Sequence, residues 1–458
     1  MSFIRYKKFG NKEYAYEVTS YWDPEKKKPR QKTKYLGIVV DKENKIFRKK
    51  RKERKEKLIL DFGDVYFLNQ FISRTKLFEK FDKKEKLLTL IFYRLCNPSA
   101  MRYARIWYDG SIAKVLFDDV SSQRISEFLR EIGDEGIQRE FFAEYIKKIS
   151  PEDGLIIDTT ALPNQININV WGWHNEEIDK IKLLLVIDRK TSLPLFFRYM
   201  PGSIVDVSSL KTTINELRKH GVTKNFIILD AGFFSEDNIR ELYREEIPFL
   251  IRLPALRKLY KLVVEESREI ESYRNAVRYG KRVLFIKKRE VELFGNKAYA
   301  YIVLDLERKE EIRRTLLKVI DEVSKEDEEE MEYILMNKIM ILVSSLDVDR
   351  EEVVSLYYTR QIAERLFGFS KDDLNLLPLI HKEETLRGYL FLHFATLAVY
   401  SLLKKELGKD HTVEEVLLTL RNLKCKVYED EVVVQELTKQ QREIFERFGI
   451  MVPKSMGI

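Results

Sequence analysis

Three acidic residues that lie far apart in the chain could together bind divalent metal ions: Asp158, Asp230 and Glu364. Asp158 ends the apolar run GLIID, and Asp230 ends the run FIILD. Acids at the C-terminal ends of apolar strands lie where an α/β sheet opens to solvent. If the two strands are neighbours, both carboxylates can bind one hard cation, which prefers oxygen ligands. The plainer interpretation is that each aspartate only caps the turn after its strand.

The third acid belongs to a set of four polar residues at helical spacing: Tyr357, Arg360, Glu364 and Lys371. On one helix, their offsets of three, four and seven residues put all four side chains on one stripe. Apolar residues mark a second face of this helix, which predicts that the polar stripe faces away from the core. One acid, two cations and a phenol can complete a metal site and hold phosphates beside it. An ordinary ion pair between Arg360 and Glu364 on a solvated helix is the alternative.

The acid triplet and the spacing of these four residues resemble the DDE transposases of bacterial and archaeal insertion sequences. Within that group the chain is similar to the insertion-sequence-four superfamily, whose Tyr-Arg-Glu-Lys signature has the same spacing. The segments around the two aspartates, IIDTTAL and IILDAGFFS, also resemble this superfamily. The resemblance covers roughly residues 150 to 400. It implies a ribonuclease H-like core and two Mg²⁺ or Mn²⁺ ions.

The resemblance also implies roles for the site residues. Asp158 would bridge both ions, and Asp230 and Glu364 would bind one ion each. Phosphates near the cleaved end would be held by three residues: Tyr357, Arg360 and Lys371. The partners would be double-stranded DNA, as terminal inverted repeats and target, and a second copy of the chain in a synaptic homodimer.

The implied reaction has two phosphodiester steps. Water attacks the bond at the end of the element, and the freed 3′-hydroxyl then attacks target DNA. Two alternatives stay open: a metal-dependent nuclease without strand transfer, and an inactive DNA-binding descendant of a transposase. In known relatives, a tryptophan of the insertion takes part in base flipping. All four tryptophans here lie outside the insertion, at Trp22, Trp107, Trp171 and Trp173. Tyr260, Tyr279, Phe285 and Phe294 are the aromatic candidates in their place.

The elements that position these residues follow from the apolar periodicity, which predicts an α/β sheet. The resemblance implies that this sheet is the mixed sheet of a ribonuclease H-like core. Six regions are predicted: a basic β-hairpin arm and linker (1–60), a helical DNA-binding region (61–150), a first core part (151–254), a β-rich insertion (255–340), a second core part with the catalytic helix (341–405), and a C-terminal helical region (406–458). The catalytic helix is expected over residues 350–373.

Charge is concentrated at one end of the chain. Residues 1–60 contain 20 Lys and Arg against 8 Asp and Glu, a net of +12, so the other 398 residues carry 8 − 12 = −4. A localised basic segment is typical of surfaces that neutralise phosphates. A solvated, disordered leader is the alternative interpretation.

The remaining features predict a cytoplasmic protein without a membrane span. Two cysteines, Cys96 and Cys425, lie far apart, and no signal peptide is evident. The longest apolar run, residues 388–403, is short for a membrane span and predicts a buried helix in which His393 is satisfied. Asp188 ends another apolar run, and we interpret it as a turn cap.

Overall fold

The computed structural model of the chain describes most of its 458 residues. The described ranges are 2–10, 12–23, 28–48, 57–151, 153–163, 180–201, 206–222, 225–255, 258–265, 269–307, 310, 314, 339–374, 376 and 383–458. The chain forms two compact units. The first comprises Met1–Leu58, Lys426–Val433 and Ser455–Ile458, and the second comprises Ile59–Cys425 and Val434–Lys454.

The first unit contains an antiparallel sheet of four strands in chain order: β1 (Ser2–Phe9), β2 (Lys12–Asp23), β3 (Lys28–Asp41) and β4 (Ile46–Arg48). Phe9 pairs with Lys12 across the first hairpin, and Gly10 has φ +59° in its turn. Glycine adopts this left-handed conformation without a steric penalty, which favours a tight hairpin here. Strands β1 and β2 thus form a β-hairpin within the arm that the sequence predicts over residues 1–60.

The second unit contains a nine-stranded mixed sheet. Its strands are β6 (Leu155–Pro163), β7 (Lys180–Asp188), β8 (Pro194–Pro201), β9 (Ile227–Leu229), β10 (Phe249–Arg252), β11 (Ala276–Tyr279), β12 (Arg282–Leu293), β13 (Asn296–Asp305) and β14 (Ile339–Ser344). The spatial order is β11-β12-β13-β14-β10-β9-β6-β7-β8. Strand β9 runs parallel to both β6 and β10, and the other neighbours are antiparallel. The predicted mixed α/β sheet is confirmed, and the strands of the β-rich insertion extend this same sheet.

Helices surround the sheet: α1 (Gly63–Thr75), α2 (Lys84–Cys96), α3 (Ala104–Gly110), α4 (Ala113–Leu116), α5 (Ser122–Ile132), α6 (Glu135–Ile149), α7 (Asp206–Lys219), α8 (Glu236–Arg244) and α9 (Lys258–Glu265). Residues 61–150 are mainly helical, as the periodicity predicts. Ser121 caps α5 by accepting the amide of Arg124, because its hydroxyl satisfies a donor that the first helical turn leaves free.

The single helix predicted over residues 350–373 is wrong. The structure instead has α10 (Arg350–Tyr358), α11 (Gln361–Gly368) and a π-helical turn (Phe369–Asp373). Between the helices the backbone amides of Arg360, Ile362 and Ala363 donate to carbonyls three residues earlier. These bonds, which reach three residues back and not four, tighten the turn between α10 and α11.

The apolar run 388–403 lies within α12 (Glu383–Leu407), and most of this helix is buried, as predicted. It is the only described helix long and apolar enough to cross a membrane, but 83% of its most apolar window is buried within the protein. Gly388 allows close packing, since an added Cβ would lie 1.7 Å from the carbonyl oxygen of Leu129 on α5. The prediction for His393 is wrong: burial lowers its pKa well below the usual value, and no described group hydrogen-bonds its ring nitrogens.

The sequence predicts a helical region over residues 406–458, but the structure shows that this region is only partly helical. It contains α13 (Val413–Arg421), α14 (Lys439–Arg447) and the short strands β15 (Lys424–Val427), β16 (Glu431–Val434) and β17 (Ser455–Gly457). Segments such as EVVV are rich in β-branched residues, which favour strands over helices. One further strand, β5 (Leu58–Asp61), precedes α1.

Candidate active site

The two aspartates lie side by side at one end of the parallel pair β6–β9. Ile157 pairs with Leu229, so Asp158 and Asp230 occupy the next position on each strand. The two strands are neighbours, which is the condition set by the sequence analysis for both carboxylates to bind one cation. However, Asp158 does not end its strand, because β6 continues to Pro163 while β9 stops at Leu229. The early end of β9 opens the sheet at this point, which is where α/β folds place ligand sites.

Glu364 reaches the same place from α11, and Arg360 lies between the three acids. The Arg360 guanidinium donates from Nη1 to Asp158 Oδ2 at 2.8 Å and from Nη2 to Glu364 Oε1 at 2.7 Å. Its Nη1 also lies 3.7 Å from Asp230 Oδ2. The three carboxylates therefore surround one positive charge. The ion pair of Arg360 with Glu364 exists, but as part of this larger cluster and not as an isolated pair on a solvated helix.

The remaining two predicted residues join the cluster. The hydroxyl of Tyr357 donates to Asp230 Oδ1 at 3.0 Å, and Lys371 Nζ donates to Thr160 Oγ1 at 2.7 Å. The structure thus brings together all six residues singled out by the sequence. The polar stripe faces away from the core only in part, since Tyr357 is 3% exposed whereas the side chain of Glu364 is 53% exposed.

Sequence reasoning missed the contribution of Thr160. It lies two residues beyond Asp158 on β6, and strand alternation places both side chains on one face of the sheet. That alternation is the signal that could have identified Thr160 as a neighbour of the acid. The backbone amide of Thr159 also donates to Asp158 Oδ1 at 2.9 Å.

Burial sets the electrostatics of the site. It raises the pKa of Asp158 to about 6, although Arg360 and the Thr159 amide oppose the shift. Burial and the nearby Asp230 also raise the pKa of Tyr357, so the phenol stays protonated. The pKa of Arg360 is raised: burial alone would lower it, but the neighbouring carboxylates outweigh that effect. A permanently charged guanidinium therefore compensates acids that are costly to bury.

The donor set has the chemistry of a divalent-cation site, because three carboxylates from three elements supply only oxygen ligands. In the arrangement seen here, the guanidinium takes the central position. Among the described residues, no three His, Cys, Asp or Glu side chains lie close enough to bind a metal ion. The chemistry of the donor set thus fits a divalent cation, whereas the spacing of the carboxylates in this arrangement does not.

The contacts of Asp188 and of the aromatic candidates for base stacking show which of them have structural roles. Asp188 Oδ2 accepts the amide of Thr191 at 2.8 Å, so the interpretation as a turn cap is confirmed. Tyr260 is buried and donates to the carbonyl of Ile339, which removes it from the stacking candidates. Tyr279 packs against Tyr358, with ring centroids 5.6 Å apart. Trp171 and Trp173 lie outside the described residues.

Fold and site together define an α/β protein with a cluster of acids and cations at the end of its parallel strands. Residues 149–398 match the family model described as the transposase DDE domain. Because the match covers more than half of the 458 residues, the chain belongs to this family of transposases, enzymes that cut DNA and transfer its strands. DDE transposases generally use divalent metals.

Two further comparisons were made. No curated protein matches the chain. Among solved structures, it is similar to the piggyBac transposase in a cryo-EM structure of the synaptic complex with hairpin DNA. The TM-score is 0.40 and the sequence identity 14%, over 78% of this chain and 70% of that chain.

Proposed function

We propose that the protein is an active transposase of the insertion-sequence-four superfamily, which cuts DNA at the ends of its element and joins the freed 3′-hydroxyl to target DNA. The observation that carries this proposal is the grouping of Asp158, Asp230 and Glu364 around the single positive charge of Arg360. Carboxylates gathered in this way suit a site that binds cations and acts on phosphates.

Asp158, Asp230 and Glu364 would bind two Mg²⁺ or Mn²⁺ ions. When bound, such ions activate the attacking oxygen and stabilise the leaving oxygen of the phosphodiester. The protein's own groups prepare this site: the Thr159 amide orients Asp158, and the Tyr357 hydroxyl orients Asp230.

Arg360 and Lys371 would grip the DNA. Arg360 carries several N–H donors in a planar fork, which matches the oxygens of a phosphate. Once it turns from the carboxylates, its donors are available to the backbone beside the cleaved bond. Lys371, held by Thr160 in this structure, adds a second positive charge on the same side. Neither residue forms a covalent bond to the substrate.

The proposed core is ribonuclease H-like. Its support is the part of the sheet ordered β8-β7-β6-β9-β10, in which three antiparallel strands are followed by two that run parallel to β6. In the sequence, strands β11–β13 of the β-rich insertion lie between this part of the sheet and the helix that carries Glu364. This order of elements is the one expected for the superfamily with its insertion before the third acid.

The proposed partners are double-stranded DNA, as terminal inverted repeats and target, and a second copy of the chain that pairs the two ends. The protein would act in the cytoplasm on an insertion sequence. The net charge of +12 on residues 1–60 supports contact with phosphates outside the catalytic cluster.

Plasmid cleavage and joining test the proposal. The substrate is a supercoiled plasmid carrying the inverted repeats that flank the coding region, incubated with a target plasmid and Mg²⁺. We expect the unaltered protein to release the 3′ ends and join them to the target. Asp158→Asn, Asp230→Asn and Glu364→Gln should each abolish both steps while binding to the ends survives. The control is Glu351→Gln, an exposed acid on α10, which should retain activity.

Each outcome has a clear meaning. Strand cleavage retained in any of the three site variants would refute the site assignment. Cleavage without joined products would identify a nuclease. End binding without cleavage by the unaltered protein, in either Mg²⁺ or Mn²⁺, would identify an inactive descendant.

A further inference from the structure

One face of the first unit's sheet combines aromatic and basic side chains. Strand alternation and the pairing register place six of them together, and we define these as the basic–aromatic face: Phe3, Arg5, Lys7, Phe9, Trp22 and Tyr35. Tyr16 links the three strands, since it pairs with Arg5 on β1 and with Tyr35 on β3. The face thus extends across the three long strands of this sheet.

The large rings of this face are open to solvent. Phe3 is 45% exposed, Phe9 61% and Trp22 62%, and Tyr35 is 37% exposed. A cluster of exposed aromatic residues on a folded surface is typical of an interaction site. Arg5 and Lys7 are also exposed, so the cations and the rings are presented to the same partner.

The cations lie among the rings, not beside them. The guanidinium of Arg5 lies 5.6 Å from the ring centroid of Phe3, and Lys7 Nζ lies 5.7 Å from that of Tyr16. These contacts hold positive charge close to ring surfaces. A ligand on this face would therefore meet both kinds of group at once.

Acidic residues lie on the opposite face of the sheet. Glu13 pairs there with Lys42 at 2.8 Å, and Glu17 accepts a hydrogen bond from Ser2. Over β1, β2 and residues 28–35 of β3, the described side chains of the basic–aromatic face include no carboxylate. The face is therefore positively charged and complementary to a polyanion.

We propose that the basic–aromatic face binds single-stranded DNA. In a duplex, each base is stacked between its neighbours, so only phosphates and groove edges are accessible, and exposed aromatic rings have no partner for stacking. An unpaired strand presents both phosphates and open base faces, which is the combination that this face complements. The choice of DNA over RNA rests on the proposed function, in which the substrate is DNA.

The sheet is long enough for such a strand. At about 3.3 Å per residue, the twelve residues of β2 span roughly 40 Å. Single-strand-binding folds cover about 4–16 nucleotides. An oligonucleotide of about 12 thymidines is therefore a suitable probe.

The test measures fluorescence anisotropy of this labelled oligonucleotide with the full-length protein in EDTA. Trp22 and Tyr21 form a matched pair, because they are adjacent on β2, face opposite sides and are 62% and 48% exposed. We expect Trp22→Ala to raise Kd at least about 5-fold, since base stacking on an aromatic ring is lost. Tyr21→Ala should change Kd less than about 2-fold. Trp22→Phe should retain most of the affinity, because it keeps a ring.

A second matched pair tests the charge. Lys7 and Lys8 are adjacent, exposed and on opposite faces of β1. Lys7→Ala should reduce the slope of log K against log salt by about 0.7, the value for one phosphate contact on a single strand. Lys8→Ala should leave that slope nearly unchanged.

Three results would overturn the proposal: equal effects of Trp22→Ala and Tyr21→Ala, tighter binding of a duplex of the same length, or tighter binding of the matching RNA. Because the assay contains no metal ion, it measures binding of the oligonucleotide without any cleavage. Failure of the cleavage proposal would therefore leave this result unchanged, and failure here would leave the cleavage site untouched.

Discussion

Arg360 and Asp158 form a 2.8 Å ion pair between residues 202 positions apart in the sequence. The pair is largely buried, with side chains 17% and 8% exposed. Its guanidinium also contacts Glu364, so one cation holds together elements that the chain order separates widely. Under the proposed function, a divalent cation that enters the site competes with this internal charge, so Arg360 would couple metal binding to DNA binding.

Arg360→Gln should therefore strengthen metal binding in the absence of DNA. Removing the guanidinium leaves three carboxylates that repel one another and lack a competing cation. We expect the affinity for Mn²⁺, measured by isothermal titration calorimetry, to rise about tenfold or more. The control is Arg365→Gln, an exposed arginine on the same helix, which should leave the affinity unchanged. If Arg360→Gln bound Mn²⁺ no more tightly than the unaltered protein, the guanidinium would not compete with the metal ion for the carboxylates.

The raised pKa of Asp158 predicts a pH-dependent contribution to stability. Its pKa is about 6 in the folded protein against 3.8 for the free side chain, so between these values the folded state binds more protons. The free energy of unfolding attributable to Asp158 should then fall as pH rises from about 4 to about 6. Asp158→Asn lacks this effect. Urea unfolding in EDTA should show the variant gaining roughly 2 kcal/mol over the unaltered protein between about pH 4.5 and about pH 7.5. If the variant instead lost stability relative to the unaltered protein over this pH range, the pKa of Asp158 would be set mainly by Arg360 and not by burial.

Tyr357→Phe removes the hydroxyl that donates to Asp230 at 3.0 Å. A hydrogen bond to a charged group contributes about 1.5–3 kcal/mol. We therefore expect the substitution to lower the free energy of unfolding by about that amount. The comparison is Tyr358→Phe, which removes a hydroxyl from the next residue of α10. A loss of stability no larger for Tyr357→Phe than for Tyr358→Phe would count against the role of the hydroxyl in holding Asp230.

Two helical glycines should respond in opposite ways to alanine. At Gly388, a Cβ would lie 1.7 Å from a backbone oxygen of α5, so Gly388→Ala must separate α12 from α5. We expect a loss of at least about 3 kcal/mol or failure to accumulate as soluble protein. At Gly368, nothing lies within 4 Å, so Gly368→Ala should stabilise α11 by about 0.5–1 kcal/mol. Thermal unfolding of both variants measures the difference, and similar melting temperatures would show that the helices can separate freely.

The sequence predicts the strands that carry the acids better than it predicts the helix that completes the site. Asp158 and Asp230 end apolar runs whose period marks them as strands, whereas the sequence leaves open whether these strands are neighbours, as they are in the structure. The break between α10 and α11 has no such local signal, since YYTRQIAERLF contains neither Gly nor Pro. It coincides with Tyr357 and Arg360, whose partners lie on β6 and after β9. Contacts distant in the sequence therefore accompany an interruption of the α-helix that local propensity does not predict.

The position of β14 within the sheet also orders events during synthesis. This strand lies between β13 and β10, both of which leave the ribosome before it does. Until residue 344 emerges, those two strands each keep an unpaired edge, and the helices with Arg360 and Glu364 follow still later. Domains fold as units only when their distant pairings can form. A nascent chain therefore contains Asp158 and Asp230 before it contains Arg360, which supplies their counter-charge, and Glu364, which is the third acid.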